Sequence, residues 1–364
     1  MSTIWVRSHR DLMGSEKKVE KILVIGGAGH IGLALVPQLL SLGYRVRVLD
    51  RHLIGKDGFG KSVSNRNLEV VCGVFSDLNT VVAAMSGMDT VVHLGDVLSD
   101  PGYDGNDELL LETNRIATRL VGSCAKAVHI RRFIFASSQS VYGCSASSVD
   151  EASALHPTCL HGRAKAESES ELTKMSGKRF QPTVLRFGTV HGAGARSRFN
   201  DIVSYFARHG QGSSGIALEA SDHLHSFIHL HDVVQAIVLC LRAPEKDICG
   251  EVFNVGSERE ARNMVDVAEL IRTETQHAGL RISASSHAGV GRRICFNKIR
   301  MRTGFEPKAS LEVGVKEVVK ASRAGDVSST LNLGAGHVPF EDLGLVVREV
   351  SDPSHVQSSN PILR

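Results

Sequence analysis

Between Lys21 and Gly32 the chain reads Lys-Ile-Leu-Val-Ile-Gly-Gly-Ala-Gly-His-Ile-Gly. A run of strand-forming residues breaks at a glycine cluster, and the apolar residues that follow, Ile31, Leu35, Leu39 and Leu42, recur at helical spacing. The stretch predicts strand, tight turn and helix, with Pro37 inside the helix expected to kink it. Glycine admits positive φ and lets a pyrophosphate approach the main chain, while the N–H groups and dipole of a helix start favour negative charge. A dinucleotide is therefore the expected ligand, held by Gly26, Gly29, His30, Ile31 and Gly32. A second strand, Arg45 to Leu49, ends on Asp50, whose carboxylate can accept hydrogen bonds from an adenosine ribose and repels a 2′-phosphate. NAD is thus preferred to NADP, and Arg51 next door weakens that preference.

Around this turn, short apolar runs alternate with helical patterns as far as Phe187, the signature of a doubly wound parallel sheet. Strands are expected at Ile22 to Ile25, Val46 to Leu49, Leu68 to Cys72, Thr90 to Leu94, Arg132 to Ala136 and Thr183 to Phe187. Helices are expected at Ile31 to Leu42, Leu78 to Met85, Asp107 to Ala127 and Gly162 to Met175. Beyond Phe187 the alternation weakens, leaving amphipathic helices at Asp232 to Leu241, Met264 to Thr275 and Leu311 to Ser322. The fold class is α/β, a Rossmann-type sheet with a smaller C-terminal substrate-binding domain. Its expected divisions are an N-terminal extension at 1–20, the dinucleotide domain at 21–187, a mainly substrate-binding domain at 188–322, and a tail at 323–364 whose structure the pattern leaves open.

With 364 residues and a net charge of +3, the chain has ample length for a core and no basic block, so neither nucleic acid nor an anionic membrane is an expected partner. Residues 1–20 lack the apolar centre of a signal peptide, and no run reaches the length of a membrane span, so a cytoplasmic protein is expected. The seven cysteines are scattered without a C-x-x-C pair, as in proteins with reduced thiols.

Several further segments fall in one order along the chain: Val91-Val92-His93-Leu94, Asn114, Ser137-Ser138-Gln139-Ser140-Val141-Tyr142-Gly143, Lys165, Leu185-Arg186, His229 to Val233 and Phe253-Asn254-Val255-Gly256-Ser257. Together with the glycine turn and Asp50, they resemble the extended short-chain dehydrogenases/reductases of the NAD-dependent epimerase/dehydratase group, from Lys21 to Ser322. The resemblance implies hydride and proton transfer on a hydroxyl or keto carbon of a nucleotide sugar, and a homodimer through the helices 107–127 and 162–175. It also implies a site in which Ser138 positions the reacting oxygen, Lys165 holds the nicotinamide ribose and Asn114 organises a water chain. Such a site needs a base with its pKa drawn toward neutrality beside the nicotinamide.

The family's tyrosine is missing. Four residues before Lys165 stands His161, and none of the four tyrosines, Tyr44, Tyr103, Tyr142 and Tyr205, precedes a lysine at that spacing. Three readings stay open. His161 replaces the phenol, with the Lys165 ammonium keeping the imidazole neutral and able to accept a proton; or the protein is a dinucleotide-binding pseudoenzyme or sensor; or water or Ser138 relays the proton and His161 is a polar filler.

The resemblance also implies what the chain lacks. Where dehydratases of the group place acidic residues, this chain has Gln139 and Ser140, which disfavours elimination and leaves epimerisation or simple redox chemistry. On the substrate side, Thr189-Val190-His191-Gly192 stands where an asparagine is common. His225-Ser226 replaces an arginine that grips diphosphate, so diphosphate binding is expected to be weaker or to move to Arg196, Arg198, Arg292 or Arg293. The adenine-contacting Asp of the family is absent from Gly73-Val74-Phe75-Ser76-Asp77, so Val74 and the Phe75 backbone are expected to hold the base, with Leu94 nearby. The histidines at 223, 225, 229 and 231 have spacings that could converge on an ion. No metal is expected there, because His229 and Asp232 fit a strand–helix junction that Asp232 would cap. Cys159 near His161 is expected to be a small side chain rather than a nucleophile.

Overall fold

The computed structural model describes residues 19–51, 59, 64–96, 107–143, 148–194, 203–204, 206, 215–220, 223–276, 280–284, 293–324 and 345–350. Its frame is laid down in chain order. β1 (Lys21–Ile25), α1 (His30–Ser41), β2 (Arg45–Asp50), β3 (Leu68–Cys72), α2 (Leu78–Met85), β4 (Thr90–His93), α3 (Asp107–Ala127), β5 (Arg132–Ser138), α4 (Leu160–Met175) and β6 (Thr183–Phe187) come first. Then follow β7 (Thr189–His191), β8 (Gly215–Ala220), β9 (His225–His229), α5 (Leu230–Arg242), β10 (Val252–Val255), β11 (Ala261–Arg262), α6 (Met264–Thr275), β12 (Leu280–Ala284), α7 (Asn297–Thr303), α8 (Leu311–Arg323) and β13 (Leu345–Val350).

Seven strands form one parallel sheet in the order β10-β6-β5-β4-β1-β2-β3. The order reverses between β1 and β4, and ligands of open α/β sheets bind at such a point, beyond the carboxyl ends of the strands. β1 is buried on both faces. Ile22 and Val24 join one core with Leu35 and Leu39 of α1, Val233 and Ile237 of α5, and Phe253 of β10. Leu23 and Ile25 point into the other, with Val91, Phe133, Phe135 and Leu172. Each such aliphatic side chain removed from water stabilises the fold by about 1.5–3 kcal/mol.

To within one or two residues at their ends, the strands and helices up to β6 lie where the sequence predicts them. α1 runs through Pro37 to Ser41 without interruption. β10 was not anticipated: four residues return to the sheet and pair with β6, Val252 opposite Val184 and Val255 opposite Phe187. The parallel sheet therefore draws on residues on both sides of 187. α4 begins two residues earlier than expected because Cys159 caps it, its Sγ accepting the Gly162 N–H at 3.2 Å. α5 is capped by His229, whose Nδ1 accepts the His231 N–H at 3.2 Å, and not by Asp232. The Asp232 carboxylate instead accepts the N–H groups of Lys308 and Ala309 at 3.0–3.1 Å.

The second half forms two small sheets, β11-β9-β7 and β12-β8-β13. The tail contributes the last strand, antiparallel to β8. Among the described residues no helix is long and apolar enough to cross a membrane.

Candidate active site

Backbone geometry, more than side chains, shapes the first part of the site. Gly26 sits at φ +74°, and a Cβ there would meet the Gly95 backbone nitrogen at 2.8 Å. The turns after β1 and β4 thus lie against each other because neither carries a side chain between them. Gly32 is equally fixed, since a Cβ would fall 2.4 Å from the Gly27 carbonyl oxygen. Gly29 is the N-cap of α1, no side chain hydrogen-bonds to that cap, and the first turn holds no acidic residue. The helix start therefore presents the N–H groups of its first turn with no acidic side chain from that turn and no side-chain cap, which fits a pyrophosphate. His30 opens the helix with its ring against Gly194, and Ile31 packs against the core.

At the end of β2, the Asp50 carboxylate accepts the Ala28 N–H at 3.0 Å and so braces the turn. The Arg51 carbonyl faces the Cys72 thiol at 3.6 Å. Beyond β3, Val74 is exposed, while the Phe75 ring stands edge-on to His93 at 5.2 Å. Leu94 donates its N–H to Ile25 O. Asp77 caps α2 by accepting from Thr80 N and Oγ1, which also lowers its pKa.

The second part of the site is built where β5 ends against the head of α4. Ser138 closes β5, and its Oγ lies 2.9 Å from Ser140 Oγ and accepts the Ser140 N–H at 3.2 Å. The Ser140 carbonyl reaches α4 at Gly162, where a Cβ would fall 2.5 Å from its oxygen. Only glycine lets the two segments meet there, one residue beyond His161. His161 and Lys165, one turn apart, share a helix face. Lys165 Nζ lies 3.0 Å from Asp96 Oδ2 and 5.2 Å from the centre of the Phe135 ring. His161 Nε2 is 3.8 Å from the same carboxylate oxygen. The side-chain exposures differ in a telling way: 10% for Lys165, 24% for Asp96 and 38% for His161. The imidazole is the member of the cluster most open to a ligand. Desolvation on its inner face depresses its pKa below the usual histidine value, Asp96 opposes the shift, and Lys165 adds to it. Asn114, on α3, is buried and donates to Leu110 O at 3.1 Å.

The structure brings His161 and Lys165 to one carboxylate, Asp96, which the sequence reading passed over, and sets the Ser138–Ser140 pair against the same helix head through Gly162. It sends Tyr142 elsewhere. That phenol is buried, donates to Asn254 Oδ1 at 2.7 Å and accepts from Arg186 Nη1 at 2.7 Å. Arg186 is in turn paired with Glu169, which also accepts the Ser137 hydroxyl.

The remaining substrate-side positions spread out. Gln139 is buried and points Nε2 at Val255 O, 3.4 Å away. Thr189 is half-buried on β7. His191 is fully buried beside His229, its neighbour in the β7–β9 register, with ring centres 5.2 Å apart. His225 is buried on β9 opposite Arg262. Arg196, Arg198 and Arg292 lie outside the described residues, and Arg293 is exposed. Among the described residues no three His, Cys, Asp or Glu side chains are grouped so as to hold a metal ion.

Known proteins resemble this chain in sequence and fold. The chain is 30% identical over 273 residues to the uncharacterized protein y4nG of Sinorhizobium fredii, a match covering 73% of this chain and 63% of that protein's length. It is 24% identical over 322 residues to the UDP-N-acetyl-alpha-D-glucosaminuronate decarboxylase of Bacillus cytotoxicus, covering 83% and 97%. The fold superposes on that of the UDP-glucuronic acid 4-epimerase of Bacillus cereus, solved with UDP-glucuronic acid and NAD, with a TM-score of 0.72 at 20% identity, covering 84% and 99%. The family model for the NAD dependent epimerase/dehydratase family matches residues 22–256, and with the parallel sheet and glycine turn in place the chain belongs to that family.

Proposed function

We propose that the protein is an NAD-dependent epimerase or oxidoreductase acting on a hydroxyl or keto carbon of a sugar-like, nucleotide-linked substrate, with His161 as the acid/base. The observation that carries this reading is the half-open His161 imidazole, on one helix face with the buried Lys165 and beside Asp96. The Bacillus cytotoxicus decarboxylase is named for a UDP-linked sugar and the Bacillus cereus epimerase was solved with one, which supports the substrate class.

NAD, held over the glycine turn by Gly26, Gly29, Gly32 and Asp50, would supply the acceptor for a hydride leaving the carbinol carbon. His161 takes the hydroxyl proton as the carbonyl forms and gives it back on re-reduction. Ser138 hydrogen-bonds the reacting oxygen, Lys165 holds the ribose, and desolvation, with a smaller push from Lys165, keeps the pKa of the imidazole below the usual histidine value. Gln139 and Ser140 offer no carboxylate for eliminating a neighbouring hydroxyl, which favours this chemistry over dehydration. A homodimer through α3 and α4 belongs to the same reading, supported by Leu109 and Ile116 exposed on α3.

The test is a panel of nucleotide sugars incubated with protein and NAD, followed by the absorbance of reduced nicotinamide and by product analysis. Turnover in the parent that falls ~10²–10⁴-fold in His161→Phe, with unchanged NAD binding, is the expected result. Equal turnover in the two proteins sinks the assignment of His161.

A further inference from the structure

One member of the cluster at the head of α4 has no part in the chemistry above. Asp96 follows β4 and reaches both Lys165 and His161 with a single carboxylate oxygen. Its place is built from beneath. His93, sealed under the turn, accepts the Gly95 N–H through Nδ1 at 3.2 Å and packs against Phe75 and Phe135. A side chain at Gly95 would meet the Phe75 ring at 2.9 Å. The turn that presents Asp96 is therefore fixed by aromatic packing.

Charge counting shows why a carboxylate is needed there. A phenol–lysine pair is neutral when the base is ready, an anion beside a cation, and carries +1 once the base has taken a proton. Exchanging the phenol for an imidazole makes the ready base neutral, so both states gain a unit of positive charge and the imidazolium forms beside an ammonium. A carboxylate within reach of both groups takes that unit away. Among the described residues, Asp96 and Lys165 are the charged groups that act on His161.

We infer that Asp96 is the positioning residue of a histidine-based site: it offsets Lys165, steadies the imidazolium, and keeps the neutral ring protonated on Nε2 so that Nδ1 exchanges the proton with substrate. The inference rests on the reading of His161 as the acid/base, and its test does not require the substrate.

In isotope-labelled full-length protein, the His161 ring nitrogens report both titration midpoint and tautomer. Asp96→Asn is expected to lower the midpoint by about one pH unit and to erase the preference for Nε2–H, Lys165→Gln to raise it, and the double variant to return near the parent. A titration and tautomer unmoved by Asp96→Asn overturn the inference. A second measurement introduces the missing phenol. In His161→Tyr, ultraviolet titration should show the new phenol ionising at lower pH when Asp96 is also changed to Asn, because the phenolate then faces Lys165 alone. Identical titrations in the two backgrounds overturn the inference as well. Failure of the parent reading looks different: His161→Phe keeps full turnover while the Asp96 effect on the imidazole persists.

Discussion

Helix α4 bears two polar clusters on one face, four residues apart at each step, and their contrast explains the site. At its head, His161 and Lys165 share Asp96 in a cleft where the imidazole stays 38% exposed. One turn further on, Glu169 grips the Arg186 guanidinium at 2.7 Å, both side chains nearly sealed, with Tyr142 and Asn254 completing their hydrogen bonds. In the sealed cluster every donor meets an acceptor and no proton is left to move. In the open one the charges are shared unevenly and one ring faces outward. The residue type alone does not separate the two roles. The phenol of Tyr142 is a buried strut, while the imidazole of His161 stands in the opening.

The sharpest way to break this contrast is to unbalance the sealed cluster. Glu169→Leu leaves Arg186 buried without its counter-ion and should lower unfolding free energy by about 3–5 kcal/mol in chemical denaturation, with the His161 titration unchanged. A loss below 1 kcal/mol would mean that the pair is not sealed.

Acid comes next. Burial pushes the pKa of His93 and that of His191 down to about 3. Both folded-state values lie below the unfolded value of about 6.5, so the unfolded chain binds protons first. Stability is therefore full above about pH 6.5 and falls as the pH drops toward 3, by about 2 kcal/mol per histidine near pH 5. His191→Leu should remove one such increment, and equal acid sensitivity in that variant would contradict the burial of the ring.

Gly162→Ala should cost about 1–3 kcal/mol through the clash with the Ser140 carbonyl. Because it pushes β5 from the head of α4, it should also slow turnover more than it weakens NAD binding. The smallest change is Tyr142→Phe, which strands Asn254 Oδ1 and one Arg186 donor. It should cost about 1–2 kcal/mol and leave the pH profile of turnover intact. A shifted profile would put the phenol back into the chemistry.

Much of this was legible beforehand because it is local. The glycine turn, the acid ending β2, Ser138 at the end of β5 and the His161–Lys165 spacing are patterns within one strand, turn or helix. What escaped depends on neighbours distant in sequence. Asp96 acquires its role only because β4 ends opposite α4, and nothing in Leu94-Gly95-Asp96 declares that. β10 is four residues long and pairs across some 70 positions, so no period marks it. The caps went astray for a chemical reason: a cysteine thiol and a histidine ring nitrogen took positions where hydroxyl and carboxylate side chains are the usual signals.

The return of Val252–Val255 to the sheet edge bears on synthesis. A ribosome that has released only the first half of the polypeptide has delivered a β6 with an unsatisfied flank, and a hydrophobic face still waiting for Val233, Ile237 and Phe253. The cofactor-binding half must therefore stay unfinished until its last strand emerges, and a fragment cut at 187 should aggregate rather than fold.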